Sequence, residues 1–143
     1  MKILHSFVML AAVLVSAGCA SFRCTQTDSF IDDLGNVAHV EYGNLTRPYK
    51  FTMVSPANGA TITGESTKFV RIELPDGEWI DCRYCQNPFS YGTMYATTDG
   101  KWRYFTTGLE CAIYLQTPDK LDYLLVFKGT AFQDERSGAG STK

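Results

Sequence analysis

Cys82-Arg83-Tyr84-Cys85 has the two-residue gap shared by redox dithiols and zinc ligands. A redox pair needs its first thiol acidified, usually at a helix N-terminus. Here Cys82 lies inside a strand-like run in which Ile80, Cys82 and Tyr84 alternate with Asp81 and Arg83, and Asn87-Pro88 follows. A four-cysteine zinc site draws on two close pairs, whereas Cys24 and Cys111 stand alone. No metal or other cofactor is therefore expected, and the cysteines read as structural. Period-two alternation places Cys82 beside Ile80 and Tyr84, and Cys111 beside Leu109, Ile113 and Leu115. The expected bridges are Cys82–Cys111 with Cys24–Cys85. A bulge would shift the parity and give Cys24–Cys82 with Cys85–Cys111. Each bridge would contribute ~2–4 kcal/mol.

Other candidates are thinner. His39 and Glu41 share a strand face and could act as the acid–base pair of a hydrolase, yet no nucleophile or third ligand can be placed beside them. Asp32-Asp33 with Asn36 lacks the spacing and terminal glutamate of a calcium loop. Asn44-Leu45-Thr46 matches a glycosylation acceptor. Aromatic residues crowd positions 89 to 114, where Tyr95, Trp102 and Tyr104 could form a cross-strand cluster. Exposed, those rings would stack on a glycan or a partner protein; covered, they would build a second layer of core.

The N-terminus supplies an address. Met1-Lys2 is a short positive end, Phe7 to Val15 an apolar core, and Ser16-Ala17-Gly18 a small-residue cut site before Cys19. An apolar core of this length is too short to span a bilayer, which takes about 20 residues. Val15-Ser16-Ala17-Gly18-Cys19-Ala20 resembles the lipobox of bacterial lipoproteins, although Ser16 stands where that family usually has Leu. The resemblance implies a diacylglycerol on the Cys19 sulfur, cleavage before it, and an acylated amine. Ala20, in place of the Asp that favours inner-membrane retention, implies the outer membrane, facing the periplasm. In that oxidising compartment the four remaining cysteines would pair. A bridge from Cys24 would leave a tether of at most about 17 Å between lipid and domain.

These candidates must be positioned by one small domain. The 143-residue chain is 45% hydrophobic and 13% aromatic, which excludes a disordered protein. Its net charge of -2 and lack of a basic run argue against nucleic acid as a partner. The expected division is a signal peptide over 1–18, a lipidated tether and short helix over 19–36, a β domain over 37–132 and a flexible tail over 133–143. The helix is expected at 28–34, where Asp28 begins a turn of apolar spacing closed by Gly35-Asn36. Strands are expected at 37–42, 49–55, 60–63, 68–74, 78–84, 93–97, 101–106, 111–116 and 122–127. Turns fall at Pro75-Asp76-Gly77, Asp99-Gly100 and Thr117-Pro118-Asp119-Lys120.

Many short, evenly spaced strands make the chain all-β and mainly antiparallel, either a small β-sandwich or a small barrel. Ser55-Pro56-Ala57-Asn58-Gly59-Ala60-Thr61-Ile62-Thr63-Gly64 resembles a strand-opening motif of bacterial immunoglobulin-like domains, which implies the sandwich. The functional expectation is a lipid-anchored envelope protein without enzymatic activity that binds a partner protein or surface glycan. The competing expectation is an envelope enzyme, using Cys82/Cys85 for thiol–disulfide exchange or His39/Glu41 for hydrolysis.

Overall fold

The structure, a computed structural model, describes residues 22–55, 58–86 and 92–139. The chain is all-β: β1 (Phe22–Ile31), β2 (Val37–Val54), β3 (Thr61–Glu73), β4 (Trp79–Gln86), β5 (Thr93–Ala96), β6 (Trp102–Thr106), β7 (Glu110–Gln116), β8 (Tyr123–Phe132) and the two-residue β9 (Gly138–Ala139). From β1 to β8 each strand pairs antiparallel with the next, and β1 also pairs with β8. The sheet therefore returns on itself as an eight-stranded up-and-down barrel. β9 turns back along β1 at Gln26 and Thr27.

The expected sandwich is thus corrected to the barrel alternative. Eight strands enclose a space that side chains alone can fill, and closure leaves few edges unpaired. Phe30, Val40, Val70, Ile72, Ile80, Tyr104, Ile113 and Phe127 occupy it. Each such side chain contributes roughly 1.5–3 kcal/mol on burial. The seam needs glycine: a Cβ on Gly129 would lie 2.8 Å from the Phe127 ring and 3.0 Å from the Ile31 carbonyl oxygen.

A second correction concerns the N-terminal helix. Residues 28–31 are strand, and among the described residues no helix forms. A seven-residue helix holds little stability alone, whereas β1 gains pairing on both sides and buries Phe30 and Ser29. The β domain therefore takes in Phe22–Ile31 and does not begin at Val37. The tail is corrected over 133–139, which packs back against β1, while 140–143 lie outside the described residues. Two pairs of expected strands merge into the long β2 and β3.

The strand order gives the barrel two unlike ends. The β1–β2, β3–β4, β5–β6 and β7–β8 turns share one end, where Asp32, Asp76, Asp99 and Asp119 each accept the backbone N–H two residues on at 2.9–3.0 Å. Short turns select Asp for this bond. Asp33, Glu78 and Asp122 add to it, against Lys101 and Lys120. At the other end, β1 begins at Phe22, opposite Leu45. Past that pair β2 and β3 continue as a two-stranded ribbon, with Tyr49–Val54 paired to Thr61–Ser66 and with Tyr49 and Phe51 packed against Arg83 and Tyr84 of β4.

Candidate functional site

The aromatic cluster lies inside the barrel. Tyr95 and Trp102 are each 8% exposed and Tyr104 is fully buried, so their expected role as a binding surface is corrected to core. Alternation along β5 and β6 puts Tyr95 opposite Tyr104, and Tyr84 of β4 opposite Tyr95. Their rings, with Phe51 and Tyr42 at either end, form a continuous ladder with centroids 5.2 to 6.3 Å apart. The Tyr42 and Tyr104 hydroxyls bond each other. Burial pushes the Tyr95 phenol up to about 12 and that of Tyr104 well above its ordinary value, so both stay neutral.

The cysteines are free thiols, and no bridge joins Cys24, Cys82, Cys85 and Cys111. The expected disulfides are corrected on this point. Cys82 and Cys111 both point inward, as their parity predicts, but β5 and β6 lie between their strands in the barrel wall. Cys24 and Cys85 each sit at a register shift, where alternation no longer sets direction. Their sulfurs lie 3.5 Å from the Gln26 carbonyl and 3.4 Å from the Met94 carbonyl. Burial raises the Cys85 thiol to about 11, Cys111 to about 12, and Cys82 further. Thiols held so far from ionisation are poor nucleophiles.

His39 is drawn into a cluster that the sequence conceals. Its Nε2 lies 3.1 Å from Asp134 Oδ2 and its Nδ1 3.5 Å from Glu73 Oε1, so its partners are these rather than Glu41. Arg136 donates to Glu73 at 2.7 Å. Buried Ser29 donates to Asp134 Oδ1 at 2.8 Å, and the Arg136 and Ser137 amides donate to the same oxygen. Burial works to raise the Asp134 pKa, but the hydrogen bonds from Ser29, His39 and Ser137 outweigh it and hold the carboxyl well below 3.8. The serine thus bonds the carboxylate and not the imidazole, unlike a nucleophile–base pair. The cluster clamps the segment after β8 onto the wall formed by β1, β2 and β3. Register alone could have exposed part of it, since His39 lies opposite both Ser29 and Glu73. Asp134 carries no such signal.

The calcium candidate resolves into a turn. Asp32 accepts the Leu34 and Asn36 amides and the Asn36 side chain. Among the described residues no group of three or more His, Cys, Asp or Glu side chains is placed to hold a metal ion. Cys19 lies outside the described residues.

What the surface does present is apolar. A register shift between Ile113 and Tyr114 gives β8 an extra residue and breaks its alternation, leaving Leu124, Leu125 and Val126 61%, 53% and 49% exposed. Leu121 in the adjoining turn is more exposed still. β1 pairs with β8 only over Thr130–Phe132, so among the described residues the second edge of Tyr123–Phe127 carries no strand. No protein-family model, curated protein or solved structure matches this chain.

Proposed function

We propose that this chain is a small lipid-anchored protein of the cell envelope, without enzymatic activity, that binds a partner protein through the outer side of β8. The observation that carries the reading is the exposed Leu124-Leu125-Val126 run on an unpaired strand edge. Such an edge offers backbone hydrogen bonds and side-chain contacts together, which is how an extended segment of a partner is recognised. A protein partner fits better than a glycan, because the rings that would stack on sugar lie in the core. The enzymatic alternative finds less support: the Cys82 and Cys85 thiols are suppressed, and the His39 ring nitrogens meet the carboxylates of Glu73 and Asp134. Anchoring follows from the lipobox resemblance at Cys19.

Site-specific photo-cross-linking in native envelopes tests the binding reading. A cross-linker at Leu125 is expected to give one discrete adduct that the Leu124→Ser variant loses, while one at Asp76 gives none. Equal adducts from both positions would sink it. Palmitate labelling tests the anchor separately, with incorporation expected in the native chain and lost in Cys19→Ser.

A further inference from the structure

We propose that the β2–β3 ribbon is a membrane-contacting arm that seats on the anionic phospholipid surface holding the anchor. The inference rests on the lipid-anchor reading above. β1 and β2 are antiparallel, so Phe22, where β1 starts, lies at the same end of the barrel as the ribbon beyond Leu45. Three residue steps separate Phe22 from Cys19, a reach of at most about 11 Å. A tether that short holds this end of the barrel, and the ribbon with it, at the bilayer that takes the acyl chain.

Its chemistry suits that place. Val54 and Ile62, near its far end, are 53% and 42% exposed. Arg47 and Lys50 on the ribbon are exposed, with Glu65 the opposing charge, while Lys68 at its base and Arg23 at the start of β1 add cations. The turn end of the barrel is acidic. Apolar tips flanked by cations match the interface of an anionic bilayer, where each cation strengthens the attraction to the lipid surface. This orientation carries the acidic turns away from the membrane.

Depth-dependent quenching by brominated lipids reads the contact. The full chain, purified from its membrane fraction, is placed in phosphatidylcholine vesicles with or without phosphatidylglycerol, carrying Val54→Trp or, in a second form, Ile62→Trp. Leu121→Trp at the turn end is the control. Native Trp79 and Trp102 begin strands at that end and give a constant background. The expected result is quenching at 54 and 62 and none at 121, stronger with phosphatidylglycerol and reduced by Arg47→Gln with Lys50→Gln. No quenching at 54 and 62, or equal quenching at all three positions, overturns the arm. The mass of the N-terminal peptide decides the anchor independently: a missing acyl group refutes that reading, whereas an acylated chain with unquenched ribbon refutes only the arm.

Discussion

Ser29 and Asp134, 105 residues apart in the chain, are joined by a 2.8 Å hydrogen bond that pins the segment after the last long strand to the first. The Ser29 side chain is buried, and the carboxylate it reaches also binds His39. Hydrogen bonds to charged groups contribute about 1.5–3 kcal/mol. Ser29→Ala is therefore expected to lower unfolding free energy by about 1–2 kcal/mol, measured by urea titration. Faster amide exchange at Gly138 and Ala139 would show that the loss begins at β9.

Acid should destabilise the barrel through its turns as well as this clamp. Asp134 is held below its ordinary value of 3.8 by hydrogen bonds that outweigh burial, Asp32 chiefly by Asn36, Asp99 by Thr97 and Asp119 by Thr117. For a carboxyl with a depressed folded-state pKa, the stabilisation is complete above its unfolded value. It is lost as pH falls through the folded value. Thermal unfolding should thus vary little with these groups above about pH 5, and its midpoint should drop steadily below about pH 4. Asp134→Asn should flatten that acid slope; an unchanged slope would count against the clamp.

Of the described glycines, Gly43 leaves the least room for a side chain. A side chain there would press on the Arg23 carbonyl and the Cys24 Cα, both backbone, at the register shift between Cys24 and Gln26. Overpacking against backbone costs about 1–3 kcal/mol. Gly43→Ala is expected to lose that much in denaturant unfolding, while Gly59→Ala, whose Cβ would meet open space, reports only the strain of its positive φ.

The free thiols carry their own expectation. Cys82 and Cys111 are almost wholly buried, so brief iodoacetamide treatment at neutral pH should leave both unmodified in the folded protein. Peptide mass spectrometry after guanidinium unfolding should show both alkylated. Rapid native labelling of Cys82 with Cys85 would revive the exchange chemistry.

The sequence by itself determined the all-β class, most strand positions and the turns at Pro75-Asp76-Gly77, Asp99-Gly100 and Thr117–Lys120. These rest on local causes: period-two alternation and the Asx bonds and positive φ of particular residues. Local signals misled at Asp28–Leu34, where a plausible helix start lost to pairing with β2 and β8, partners that only closure supplies. Tyr95, Trp102 and Tyr104 alternate in the same way whether their face looks out or in. Barrel curvature put that face inside and kept Cys82 apart from Cys111. The Ser29–Asp134–His39 cluster and the bare edge of β8 likewise depend on where β1 meets β8. That meeting is set by the packing of a closed sheet and not by any single stretch of chain.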